Sequence, residues 1–301
     1  MKSRGRKTGL ALMIMTLVTF AAACGNNENN RSNADTSEMT HMEVKELEQK
    51  ILSKNWDALD IVDTAARPEE SLDLLTELVG HEDPEVREIA LNCVSMVRDA
   101  RVPKMLAGSL SDKDDDIRLF ALQSLQTAYD ESILGDLTAN LENEDAEIRG
   151  GVALLLGEIG NPEAVEPLKA RLEPEENVEA ERDMKLALAR LGDTEMQGFF
   201  ADQMDVPDSD TRLQGLEDLR YIQDKSLSYR IMPALDDTGD GYPVTPPGEP
   251  EAEYNRVCDV AINYIAELHD QPFSFEVRET KIYSDEEIEQ VKSFLATLKG
   301  E

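Results

Sequence analysis

The sequence predicts an all-α protein: an α-solenoid of about six to seven helical hairpins, closed by a short C-terminal capping segment. Three observations predict it. A polar residue recurs at Asp99, Asp130, Asn161, Asp193 and Asp224, with spacings of 31, 31, 32 and 31. Apolar residues follow each of them at the third, seventh and eleventh positions: Val102, Ile133, Ala164, Met196 and Leu227, then Leu106, Leu137, Leu168, Phe200 and Ile231, then Leu110, Leu141, Leu172, Met204 and Leu235. A second series keeps the same register, with Val94, Leu125, Leu156, Leu188 and Leu219 in one slot and Ile262 as its extension. Two short amphipathic helices cannot bury their apolar stripes alone, so a period of about 31 residues implies hairpins stacked on their neighbours.

Along the chain, the first element is a targeting segment. Lys2, Arg4, Arg6 and Lys7 form a basic start, and Gly9 to Phe20 is an apolar run. That run is too short for the roughly 20 residues a membrane-spanning helix needs. With Ala21, Ala22 and Ala23 before Cys24, residues 1–23 read as a signal peptide. The placement resembles a bacterial lipoprotein signal, with Ala21 where that family usually has leucine. The resemblance implies that Cys24 receives a diacylglyceryl group and becomes the N-terminus, anchored by palmitate-type acyl chains. Each buried CH₂ contributes roughly 0.8 kcal/mol, so two or three chains hold a soluble domain on a membrane. Gly25, rather than aspartate, after the cysteine implies the outer membrane and its periplasmic face. A secreted protein cut at Ala23, with Cys24 incidental, is the other reading. Residues 24–42 carry "GNNENNRSNADTSEMT" without apolar period and are expected to be a disordered polar tether.

The repeat array is expected over residues 43–271. In each unit the Asp or Asn at the start of the period caps a first helix by accepting from the amides of its first turn. Positions three, seven and eleven then lie on one face. The second helices open on Val86-Arg87, Ile117-Arg118, Ile148-Arg149 and Thr211-Arg212, with Ala180-Glu181 in the copy that carries one inserted residue. "VALLLGEIGNPEAVEPLKARL" sets Gly157 and Gly160 near a helix end and Pro162 at the first position of the next helix.

The stretches "DPEVREIALNCVSMV" (83–97) and "DAEIRGGVALLLGEIGNPEAVEPL" (145–168) resemble HEAT repeats, of the short bacterial kind shared with phycobilin lyases. The resemblance implies a curved binding surface, with the second helices along its concave side. It also implies that the apolar residue of each pair enters the core while Arg87, Arg118, Arg149 and Arg212 form a structural ladder, bridging to the acidic turn of an adjacent unit. Asp83, Asp114, Asp145 and Asp208, four residues before each arginine, are the expected acids. Glu88, Asn92, Gln123 and Gln126 interrupt apolar slots of the second helices and are the positions offered to a protein partner.

The period fails after Leu235. Arg212 to Arg256 is 44 residues, so residues 236–254, "DDTGDGYPVTPPGEPEAEY" for the most part, insert a Gly-, Pro- and Asp-rich loop. Loops of this kind carry function more often than the elements they join. Asp236, Asp237 and Asp240, with Glu249, supply hard oxygens suited to calcium, but Pro247 stands where an EF-hand needs its bidentate acid. A partner-contacting loop and a plain surface excursion are the other readings. Residues 272–301 form the cap: Phe273, Phe275 and Val277 alternate as in a short strand or extended segment. Ser284 and Glu287 then form a capping box before a helix lined by Ile288, Val291, Leu295 and Leu298.

Composition narrows the function. The chain has 30 Lys+Arg against 63 Asp+Glu, a net charge of −33, which becomes −37 when the four basic residues of 1–23 leave. Such a charge argues against nucleic acid and suits a basic protein partner or simply an acidic, solvated surface. Of three histidines none pairs at ligand spacing, and no phosphate loop, nucleophile elbow or CxxC motif occurs. His81-Glu82 is a single copy of the pair that deoxyhypusine hydroxylases repeat to hold iron. The sequence therefore predicts no enzyme, no cofactor and no evident small-molecule substrate. It predicts a membrane-anchored scaffold for a protein partner at the bacterial envelope, with a calcium-dependent sensor or enzyme around 236–254 as the alternative.

Overall fold

The computed structural model describes residues 41–244 and 254–298. The signal segment, Cys24, the tether up to Thr40 and Glu249 of the insertion lie outside them. The chain divides into two units, Met1–Met184 and Lys185–Glu301.

The first unit opens with α1 (His41–Leu52) and α2 (Ala58–Thr64), then stacks hairpins. α3 (Leu72–Leu78) pairs with α4 (Pro84–Ser95), α5 (Val102–Ser109) with α6 (Asp115–Ala128), and α7 (Leu134–Asn140) with α8 (Ala146–Ile159). α9 (Val165–Leu172) leads into α10 (Val178–Arg190), inside which the division falls. α4, α6 and α8 pack side by side as one layer, and α5 and α7 pack as part of the other. The core lies between the layers. Leu91, Val94, Leu122, Leu125, Leu156, Leu106 and Leu137 are all buried, as the shared register requires.

Caps explain where the helices begin. Asp83, Asp114 and Asp145 accept from the amides of Glu85, Asp116 and Glu147 at 3.1, 3.1 and 2.9 Å. Asp130 and Asn161 do the same for Ser132 and Glu163 at 2.8 and 2.9 Å, opening short 3-10 turns before α7 and α9. Each satisfies one of the orphan donors that a helix start leaves. α8 ends on Gly160 at φ +72°, whose amide bonds back to the Leu156 carbonyl at 3.3 Å. An L side chain disfavours that left-handed conformation by about 1 kcal/mol or slightly more. Gly160→Ala is therefore expected to lower the stability of the first unit by about that amount, read as a reduced urea midpoint with unchanged slope.

The second unit holds α11 (Thr194–Ala201) against α12 (Ser209–Ile222), then a 3-10 segment Lys225–Asp236 against α13 (Val257–Leu268). The sequence expects an ordinary first helix at 225–236. Instead it winds as 3-10, with Pro233 inside it and so without one amide donor. Strands β1 (Asp240–Pro243) and β2 (Tyr254–Arg256) pair antiparallel within the insertion. The segment at 273–277, expected as a short strand or extended segment, has no strand partner among the described residues. Its Phe273 and Phe275 rings stack on each other at 5.2 Å, and Phe273 meets Phe294 edge-on at 5.6 Å. α14 (Asp285–Leu298) closes the unit against the 225–236 segment, burying Ile288, Val291 and Leu295. Its capping box forms, with the Ser284 amide donating to Glu287 at 2.9 Å. No helix among the described residues is long and apolar enough to cross a membrane.

Candidate functional site: the face of the second helices

Four second helices, α4, α6, α8 and α12, each contribute one arginine near the start, and these arginines reach forward. Arg87 grips Asp112 through Nε and Nη2 at 2.8 and 2.7 Å, and Nη1 donates to the His81 and Glu82 carbonyls at 3.0 Å. Arg149 repeats the arrangement on Glu175 at 2.8 and 2.7 Å, with the Asn143 and Glu144 carbonyls below it. Arg118 reaches Asp145 at 3.3 Å and Asp115 at 2.6 Å, and Arg212 reaches Asp237 at 2.8 Å.

These pairings correct the expectation that Asp83, Asp114, Asp145 and Asp208 hold the arginine four residues on. The four aspartates sit at N-cap positions, where a short side chain folds back onto amides. Asp208 binds the Thr211 amide at 2.9 Å, and Asp83 takes Lys54 at 2.6 Å as its cation. The acids that meet Arg87 and Arg149 instead stand in the turn before the next cap. Asp112 and Glu175 accept the amides of Asp114 and Asn177, each at 2.9 Å. Asn143 occupies that same turn position before Asp145 and accepts its amide at 3.0 Å. An amide side chain offers no charge, so Arg118 passes over it to Asp145.

Electrostatics follow from this geometry. The Arg149 guanidinium holds the Glu175 carboxyl down to about 2, although burial opposes it. Burial pulls Asp112 and Asp237 up, but Arg87 on Asp112, and the Gly239 amide with Arg212 and Ser209 on Asp237, hold both below the usual carboxylate range.

The positions offered to a partner lie on α4 and α6. Glu88, Asn92, Gln123 and Gln126 are each partly exposed. The Asn92 amide donates to the Glu88 carbonyl at 2.9 Å, and Gln126 Oε1 is buried without a hydrogen-bond partner. Burial, then the nearby Asp114, Asp116 and Glu85, push the Glu88 carboxyl up.

Counting from Arg87, Arg118, Arg149 and Arg212, the fifth position is Asn92, Gln123, Leu154 and Glu217; the eighth is Ser95, Gln126, Gly157 and Arg220. The sequence reading passed over Glu217 and Arg220 although their register would have found them. Glu217 accepts from the Tyr242 hydroxyl at 2.6 Å, and Arg220 pairs with Glu267 at 2.7 Å.

The loop carboxylates do not converge. Asp236 pairs with Lys292 at 2.7 Å, Asp237 takes Arg212, Ser209 Oγ at 2.8 Å and the Gly239 amide at 2.9 Å, and Asp240 is exposed on β1. Among the described residues no three His, Cys, Asp or Glu side chains gather as a metal site. Ser228 Oγ lies 2.8 Å from His269 Nε2, but it is buried and donates to the Lys225 carbonyl at 2.8 Å, which makes it a structural link. Cys93 and Cys258 are buried free thiols, and burial pushes them up to about 12 and about 11. Thiols so protonated are poor nucleophiles.

Comparison with known proteins supports the repeat and little beyond it. HEAT repeats are recognised at residues 57–126 and 102–189. A search of curated proteins finds no match. Among solved structures the chain is similar to the complex of CpcE and CpcF of phycocyanin lyase from Nostoc sp. PCC7120, at 12% identity and a TM-score of 0.45, covering 90% of this chain and 98% of that one.

Proposed function

We propose that this chain, which carries HEAT repeats over residues 57–189, is a non-catalytic scaffold. It docks a protein partner on the face of its second helices while a lipid on Cys24 anchors it at the bacterial envelope, on the periplasmic face of the outer membrane. The observation that carries the reading is the set Glu88, Asn92, Gln123 and Gln126. These four polar side chains stand half-buried on the second helices α4 and α6. The net charge of −33 makes a basic partner the better electrostatic match.

The test places a photo-crosslinking residue at Asn92 or Gln123 in native envelopes. A discrete adduct is expected, reduced by Glu88→Lys and by raised salt. A pattern of adducts that neither change affects would sink the docking face. The anchor is read separately: Cys24→Ser is expected to move the protein from the membrane to the soluble fraction. Engagement of Asp236 by Lys292 and of Asp237 by Arg212 weighs against the calcium alternative.

A further inference from the structure

The first unit opens on a corner that carries two large apolar side chains into solvent. Leu52 ends α1 and is 45% exposed; Trp56, the only tryptophan of the chain, stands just before α2 and is 42% exposed. Val44, Leu59 and Ile61 on the same two helices are half-buried. α1 packs on α2 and α4, and its own stripe, Leu47 and Ile51, is fully buried. Leu52 and Trp56 take no part in that core.

The corner is held in place. Lys54 turns the chain at φ +58°, and its ammonium reaches Asp83 at 2.6 Å and Glu85 at 3.3 Å at the start of α4. The Asn55 amide donates to the Lys50 carbonyl and the Asp57 amide to Asn55 Oδ1, both at 2.9 Å. Lys50 pairs with Asp57 at 3.4 Å. Both lysines beside the corner are thus matched by acids of the chain, so it offers apolar surface rather than a basic patch.

Its place in the chain points to the occupant. Of the exposed large apolar side chains among the described residues, these two lie nearest Cys24 along the chain. Residues 25–40 connect that cysteine to α1. At no more than about 3.6 Å per residue, they keep the start of α1 within about 60 Å of a lipid on Cys24. Such a tether makes a second contact intramolecular, at an effective concentration on the order of millimolar. Two side chains, too few to hold a free protein on a bilayer, then suffice to seat a tethered one. The indole combines an apolar ring with a polar N–H, which favours the headgroup level of a membrane. The net charge of −33 repels anionic headgroups, which makes a zwitterionic phospholipid surface the better match.

We propose that Leu52 and Trp56 form a membrane-seating corner: they enter the headgroup level of a zwitterionic bilayer and set the pose of the first unit on the membrane that holds Cys24. The corner acts only if Cys24 is lipidated as proposed above, and it adds a second, apolar contact to that anchor.

The test reconstitutes the lipidated mature chain into phosphatidylcholine vesicles, checks that it floats with them, and reads the emission of Trp56, the chain's single indole. The reference is the Cys24→Ser chain mixed with the same vesicles. Against it, Trp56 is expected to emit at shorter wavelength, to be several-fold less open to acrylamide, and to be quenched by phospholipid brominated at the upper acyl carbons. Leu52→Ser is expected to lower the bromine quenching several-fold, as the loss of one buried leucine implies. Its far-ultraviolet circular dichroism should stay unchanged, because Leu52 is exposed. Flotation with Trp56 as open to acrylamide as in the reference would overturn the corner and leave the anchor standing. Absence of flotation would overturn the anchor and the corner with it. A blue shift that grows with protein concentration, without bromine quenching, would assign the corner to a second copy of the chain and likewise overturn the proposal.

Discussion

Arg149→Met is expected to cost the first unit about 3 kcal/mol. Breaking one side of a buried ion pair typically costs about 3–5 kcal/mol, because the remaining charge is left uncompensated. The Glu175 side chain is 1% exposed and would lose its two-pronged partner. Arg171, 2.9 Å from Glu175 Oε2, remains as a second cation and sets the effect at the lower end. The double variant Arg149→Met with Glu175→Leu is expected to recover most of the loss, since a well-packed apolar pair often replaces a buried ion pair without penalty. The pH profile has a definite direction. Glu175 is held down to about 2, so its contribution is complete above the ordinary glutamate range and disappears as pH falls through that range toward 2. Urea midpoints measured from pH 7 to pH 2 should show a shallower acid limb in Arg149→Met than in the wild type, the remainder coming from Asp112 and from Arg171 on Glu175. A loss under about 1 kcal/mol would place the pair with exposed salt bridges, which contribute little.

Leu156→Ala is expected to cost about 2–5 kcal/mol, the range for removing a buried leucine and leaving a cavity. Leu156 is fully buried and shares its slot with Leu125 and Val94. Leu172→Ala supplies the contrast, because Leu172 is only partly buried and should cost well under half as much. The neighbouring helices are close at this level: a Cβ on Gly151 would collide with the Leu122 methyls. That approach limits how far the cavity can collapse. Urea unfolding reads both variants, and equal losses would mean that the register does not decide burial.

The periodic part of this chain was open to reading because two local rules agree. A capping Asp or Asn fixes where each helix starts, and apolar residues at three, seven and eleven then fall on one stripe. Both rules act within a dozen residues. The arginine partners obey neither. The acid lies 25 to 27 residues on, and which acid is chosen depends on whether the turn before the next cap holds Asp112, Glu175 or the uncharged Asn143. Glu217 and Arg220 were within reach by register alone. Tyr242 was not, because thirteen inserted residues leave no period to place it. The Phe273–Phe275 alternation left a short strand and an extended segment both open; no strand forms there, and the rings found each other and Phe294.

The forward reach of the arginines sets an order of events during synthesis. A hairpin ending at Ile159 can pack its leucines as soon as it emerges, yet Arg149 stays unmatched until Glu175 follows it out. The same delay separates Arg87 from Asp112 and Arg212 from Asp237. Each of these three newborn hairpins thus waits on its successor before its cation meets that acid, and an array cut short inside one of these gaps is left with an unmatched guanidinium at its growing end.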